Sequence, residues 1–268
     1  MSVSLGHDVA ATYARDGAMC LRGVLDEPTL ASLLAAWSWS IGNRGPLASP
    51  LIQGQDDGWQ DLCNPAALDH YRDVLVQSPL ADLTAALWGE SDVWFMYEQV
   101  FHKTGGAAGR TPWHQDTSYL TVTGEHLLVM WISFETLPAN LSLEFVKGSH
   151  RRTLFNTSRF DPADPTTPIY DSPAMPRLPP IDARRADYDI ISFGVDPGDV
   201  VVFHPSTLHG GAPTAPDHPA RRTLSLRFFG RDARYEPRPG PAGPFYPQVQ
   251  STLRPGDAFR HPRFLKLR

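Results

Sequence analysis

Near residue 93 the apolar pattern of this chain changes from a helical period to a strand-like one, and that switch restricts the fold more than any other feature of the sequence. Upstream, residues 8–42 read as two helices broken by a turn. Asp8 stands where it can cap the first and Asp16-Gly17 ends it, while Asp26-Glu27-Pro28 opens the second, whose stripe is Leu30, Leu33, Leu34 and Trp37. A further helix is expected from about Pro79 to Trp88, closed by Gly89. Downstream, Val93 to Phe101, Leu127 to Phe134, Leu141 to Val146, Val200 to His204 and Thr223 to Phe229 have the β-branched and aromatic content of strands. Pro197-Gly198-Asp199 is a turn into the fourth of these. Helices first and short strands after predict a mainly β fold with buttressing helices, a double-sheet antiparallel barrel.

No linker-like run divides the 268 residues, so one domain over 1–268 is expected, with a helical part over about 8–90. Residues 155–190 hold many of the 26 prolines and almost no periodicity, which reads as a lid-like insertion beside a site. The tail from Glu236, rich in Pro and Gly, is expected to wrap the core in extended form. A net charge of −5 argues against a nucleic-acid partner, because phosphate binding needs a basic face. No apolar run approaches a bilayer span and the first residues lack the pattern of a secretory signal, so a cytoplasmic protein with no membrane partner is expected. Cys20 and Cys63 have neither zinc-ribbon nor disulfide-framework spacing and read as reduced and structural.

Three pieces carry chemistry. In Trp113-His114-Gln115-Asp116 an imidazole and a carboxylate stand at i and i+2, one face of an extended chain, although such a triplet alone is common. His209, followed by Gly210-Gly211 beyond a strand, adds a second imidazole; two histidines and a carboxylate leave open positions on a metal, the arrangement of non-haem iron(II) oxygenases. His204 is a rival for the same role, but the glycines after His209 permit close backbone approach. His7, His70, His102, His126, His150, His218 and His261 read as ordinary surface or core side chains. Finally, Arg221, Thr223, Ser225 and Arg227 share one face of a strand whose other face is Leu224, Leu226 and Phe228. Such a strand is either half-exposed or, following His209 so soon, a grip for a carboxylate.

Taken in order, these pieces resemble the phytanoyl-CoA dioxygenase family of 2-oxoglutarate oxygenases. The likeness includes Asp16-Gly17 through Arg22-Gly23-Val24-Leu25, the His114-Gln115-Asp116 triplet, Trp131, Gly148-Ser149-His150-Arg151, Pro197-Gly198-Asp199-Val200, His209-Gly210 and Arg221. The resemblance implies a double-stranded β-helix (jelly-roll, cupin-like), Fe(II) on His114, Asp116 and His209, 2-oxoglutarate and O₂ as cosubstrates, and succinate and CO₂ as coproducts. It also implies that Arg221, assisted by Thr223, pairs with the distal carboxylate, that Trp131 lies beside the cosubstrate, and that Tyr97, Gln99 and Lys103 line the pocket. Gly211 replaces a common serine and Thr214 stands near a common asparagine, so those hydrogen bonds are not carried over. Iron halogenases of this type lack the carboxylate, so Asp116 argues for oxygenation, with hydroxylation of an unactivated C–H as the expected outcome. The competing readings are a non-catalytic, cupin-like metal-binding protein and a metal-dependent hydrolase, separated from an oxygenase by succinate release. A small, partly apolar metabolite is the expected substrate; Arg177, Arg184 and Arg185 read as solvated loop charges rather than an anion site.

Overall fold

The computed structural model describes residues 7–51, 58–104, 109–161, 163–215, 217, 220–240 and 246–268, so the expectation for His218 lies outside the described residues, as does the side chain of His7. Helix α1 (His7–Asp16) stops where Gly17 takes φ +78° and donates its N–H to the Tyr13 carbonyl; Asp8 sits in its first turn. Helix α2 (Glu27–Gly42) begins as expected, with the Asp26 carboxylate accepting from the Thr29 N–H at 2.9 Å and Pro28 in the first turn. Leu33 and Trp37 of its stripe are buried, with Leu30 and Leu34 packed against them. Two further helices, α3 (Leu68–Gln77) and α4 (Leu80–Trp88), follow, the latter closed by Gly89 in the left-handed region.

Two antiparallel sheets face one another without closing into a barrel, a correction to that part of the sequence reading. The larger runs, in spatial order, through β1 (Ala18–Leu21), β10 (Val200–Phe203), β7 (Leu127–Ser133), β12 (Arg221–Phe229), β4 (Trp94–Lys103), β3 (Gly58–Leu62) and β2 (Ser49–Pro50). The smaller orders β5 (Thr111–His114), β11 (His209–Gly211), β8 (Leu143–Val146) and β9 (Ile190–Ser192). Strands β6 (Val122–Thr123) and β13 (Arg234–Tyr235) pair with each other. The tail is not simply extended: it forms helix α5 (Pro247–Thr252) and strand β14 (Leu265–Lys266), which pairs with β4.

Strand parity divides the large sheet into two faces. Val100, Leu128, Met130, Ile132, Val200, Val202, Leu224, Leu226 and Phe228 point to the helices and form the main core with Tyr13, Leu33, Trp37 and Tyr71. The alternate residues of the same strands look toward the small sheet. On β12 these are Arg221, Thr223, Ser225 and Arg227, all buried, so the polar face of that strand meets a cavity and not solvent. Strand β7, buried along its whole length, is the central strand its continuous apolar run implies.

Candidate metal centre and cosubstrate cavity

His114 ends β5 and His209 begins β11, and these two residues are direct cross-strand partners, with ring centroids 4.1 Å apart. Gly210 makes that pairing possible: a Cβ there would lie 2.8 Å from the Thr111 carbonyl oxygen and 3.0 Å from that of Pro112. The glycines after His209 thus permit close backbone approach, as expected, but by neighbouring strands: Gly210 admits β5, and Gly211 lies against Ser142 and Glu144. Asp116 follows β5 at the start of a 3₁₀ turn, and its Oδ1 lies 3.5 Å from His114 Nε2 and 3.7 Å from His209 Nε2.

Each imidazole is oriented from behind. His114 Nδ1 bonds the Pro112 carbonyl at 2.9 Å and His209 Nδ1 that of Thr207 at 2.8 Å. A carbonyl only accepts, so the proton sits on Nδ1 and the Nε2 lone pair faces Asp116. Burial and the nearby His114 push His209 down to about 3, keeping it a neutral donor. Burial opposes the charge on Asp116, but the Arg227 guanidinium outweighs it and holds the carboxyl well below its ordinary range. Two imidazoles and one carboxylate, with ligand atoms within 4.8 Å of one another and all three residues buried, suit a borderline divalent transition ion with open positions.

The donors open into a cavity of about 370 Å³. Arg221 is 4 % exposed and lines it; its Nη1 donates to the Leu141 and Pro213 carbonyls at 3.0 and 3.1 Å, and among the described residues Nη2 has no hydrogen-bond partner. Burial pushes its pKa down to about 10, with Glu135 opposing, so the guanidinium stays charged near neutrality. Arg222 points the other way and pairs with Glu135 at 2.5 Å. Thr223, Trp131 and Gln99 also line the cavity, Gln99 with its amide on Gln60 at 2.7 Å.

Two expected lining residues stand outside the cavity wall. The Tyr97 ring lies under the Arg227 guanidinium, 4.7 Å from it, because Tyr97 faces Arg227 in the β4–β12 register. Lys103 sends Nζ to the carbonyls of Gly109 at 2.6 Å and Ala212 at 2.7 Å, tying strand ends together. His204, the rival ligand, is held elsewhere: Nδ1 accepts the Ser206 N–H at 3.0 Å and Nε2 contacts the Gly124 carbonyl at 3.2 Å. Cys20 and Cys63 are free thiols. Arg177, Arg184 and Arg185 pair with Asp164, Asp187 and Glu144.

The sequence reading missed Arg227, Tyr119 and Phe160. Arg227 Nη2 donates to Asp116 Oδ2 at 2.9 Å, and the Tyr119 hydroxyl donates to Asp116 Oδ1. Parity had already put Arg227 on the face of Arg221, which was the available signal. Phe160, in the insertion, takes φ +60° and sets its ring edge-on to His114 with centroids 5.2 Å apart; nothing in a Pro-rich stretch announces that contact.

Among known proteins, the similarity in structure spans nearly the whole chain. The carbocyclase SnoK from nogalamycin biosynthesis, non-heme and alpha ketoglutarate dependent, superposes with a TM-score of 0.71 at 18 % identity, covering 98 % of this chain and 97 % of that one. The epimerase SnoN, in complex with Fe3+, alpha ketoglutarate and nogalamycin RO, gives 0.70 at 20 % identity, with 97 % and 98 % covered. EctD from S. alaskensis, with 2-oxoglutarate and 5-hydroxyectoine, gives 0.63 at 18 % identity, with 91 % and 85 % covered. At such identities these likenesses establish the fold, a double-stranded β-helix. No curated protein matches the sequence at a significant level. The family model for phytanoyl-CoA dioxygenase (PhyH) matches residues 13–223, and the chain therefore belongs to that family of 2-oxoglutarate-dependent non-haem iron oxygenases.

Proposed function

We propose that this protein uses Fe(II), 2-oxoglutarate and O₂ to oxidise an unactivated C–H bond of a small molecule, with hydroxylation as the outcome and succinate and CO₂ as coproducts. What carries the reading is one juxtaposition: His114, Asp116 and His209 converge at a cavity into which β12, from the opposite sheet, brings the buried Arg221 guanidinium. Iron with 2-oxoglutarate bound supplies the oxidising power for C–H cleavage. His114, Asp116 and His209 would hold the iron, their Nδ1–carbonyl bonds having fixed both rings in advance. Arg221 would bind the distal carboxylate through Nη2, with the Thr223 hydroxyl two residues along the same face. Trp131 would flank the cosubstrate and Gln99 border the neighbouring space.

The rest of the cavity is largely apolar. Leu47, Leu51, Leu62, Phe101, Phe160 and Ile169 line it, favouring a substrate with an apolar body and limiting water near the oxidant. The similar structures include a carbocyclase and an epimerase, and hydroxylation is preferred here because it requires no side chain beyond those already assigned. Asp116 fills the position a halide would need, which favours oxygenation over halogenation.

Anaerobic loading with Fe(II) and 2-oxoglutarate, followed by O₂, tests this without a known substrate. One iron per chain and slow, O₂-dependent succinate formation are expected. Iron binding without succinate would leave a non-catalytic, cupin-like protein; turnover of a substrate without O₂ or 2-oxoglutarate would mean a hydrolase.

A further inference from the structure

Asp116 is gripped at both oxygens. Its Oδ1, the oxygen that faces the Nε2 atoms of His114 and His209, accepts from the Tyr119 hydroxyl. Its Oδ2 accepts from Arg227 Nη2 at 2.9 Å. Arg227 is 4 % exposed, stacks its guanidinium over Tyr97, and among the described residues its Nε and Nη1 have no hydrogen-bond partner. A guanidinium buried this deeply is costly unless a charge compensates it, and Asp116 is the one carboxylate it bonds among the described residues. The pair also spans the two sheets, since Arg227 lies on β12 and Asp116 follows β5.

We propose that Arg227 is a positioning residue for Asp116: it occupies Oδ2, so that Asp116 meets the metal through Oδ1 alone. A carboxylate free to rotate can bind through both oxygens and fill a position that cosubstrate or O₂ requires. Held at Oδ2 by a charge-assisted bond and at Oδ1 by a phenol, it cannot. This inference rests on the metal-site reading proposed above.

The test removes the carboxylate and asks whether Arg227 still holds one. Asp116→Gly leaves a buried guanidinium facing a carboxylate-sized space, and formate is the probe. The double variant Asp116→Gly/Arg227→Met removes both charges together, which leaves no orphan charge to unfold the protein. In the metal-free proteins, formate at ten times its dissociation constant is expected to raise the unfolding temperature of Asp116→Gly by about 3–5 °C and leave the double variant unmoved. With Fe(II) and 2-oxoglutarate under anaerobic conditions, formate should restore to Asp116→Gly the charge-transfer band of the wild-type chelate. The double variant should need at least about tenfold more formate, and Asp116→Gly/Arg227→Lys an intermediate amount.

A merely structural tie between the sheets would alter unfolding temperatures but would not make the band depend on the guanidinium. Equal formate requirements in the single and double variants overturn the proposal, as does a formate effect absent from Asp116→Gly. A wild-type protein that never develops the band overturns the metal-site reading itself and the positioning role with it, an outcome recognisable because it precedes any variant.

Discussion

Replacing Arg221 by alanine would take the one charge on its face of β12 that, among the described residues, has no carboxylate partner, and, on the function proposed above, would leave a distal cosubstrate carboxylate in a poorly solvated cavity. Loss of such a partner costs roughly 2–5 kcal/mol, which corresponds to about 30-fold to a few thousand-fold in 2-oxoglutarate affinity. Arg222→Ala removes a half-exposed pair with Glu135, worth at most about 1 kcal/mol, and leaves the cosubstrate untouched. Anaerobic titration of 2-oxoglutarate into the two iron-loaded variants measures both, and iron affinity should be nearly unchanged in each. Normal affinity in Arg221→Ala beside a severe loss in Arg222→Ala would reverse the assignment. Strand parity alone separates these neighbours, because alternate residues of a strand face opposite ways. The same reasoning applies to Arg227, but parity cannot say which of two arginines on one face reaches a metal ligand and which a cavity wall. That is decided by Asp116, which reaches β12 from the other sheet.

Strand β11 is three residues long and positions the site through its pairing with β5 on one side and β8 on the other. Gly210→Ala would drive a Cβ into the Thr111 and Pro112 carbonyls, backbone atoms that cannot step aside, at about 1–3 kcal/mol as an overpacking cost. The strain falls where His209 is aligned with His114, so metal affinity should fall at least about tenfold, more than the loss of thermal stability accounts for. Iron or cobalt titration together with thermal unfolding checks this; a destabilised variant with normal metal affinity would show that β11 tolerates displacement. Elements with sustained periodicity were legible in the chain: α2 with its Asp26 cap, β7 as a doubly buried run, β12 by alternation. The short strands β1, β2, β3 and β11 were not, since they lack a periodicity of their own and are defined by the neighbours they pair with, β10 for β1, β4 for β3 and the pair β5 and β8 for β11. Helix α3 escaped for another reason: Leu68-Asp69-His70-Tyr71-Arg72-Asp73 is polar for most of its length, with Tyr71, Val74 and Leu75 alone supplying its buried face. The three proposed iron ligands could be read as a spacing, while the mutual orientation of the two imidazoles through the Pro112 and Thr207 carbonyls could not.

Across the whole molecule, the described residues of the stretch at 155–190 lie between β8 and β9, two paired strands of the small sheet. Its ends are fastened. Gln115 Oε1 accepts the Phe155 N–H at 2.8 Å, Asn156 and Tyr170 exchange hydrogen bonds, and Ile190 enters β9. Between them, Ser158, Arg159, Phe160 and Ile169 line the cavity, and Phe160 holds a left-handed backbone conformation that costs roughly 1–2 kcal/mol for a residue with a Cβ. The edge-on contact with His114 and the bond from the Phe160 N–H to Ser158 Oγ at 2.9 Å offset that cost. Phe160→Ala keeps the backbone strain and removes the ring, so this tip should open. Amide exchange over 158–161 and 163–169 should accelerate several-fold while Ile190–Ser192, paired in the sheet, stays as slow as before. Water then reaches the cavity, and consumption of 2-oxoglutarate without substrate should rise in parallel. Phe160→Gly separates the two causes: it removes the ring and relieves the strain together, so its exchange should fall between wild type and Phe160→Ala. Equal exchange in all three proteins would mean that the ring does not hold the tip closed, and the stretch would then be a fixed wall of the cavity rather than a lid.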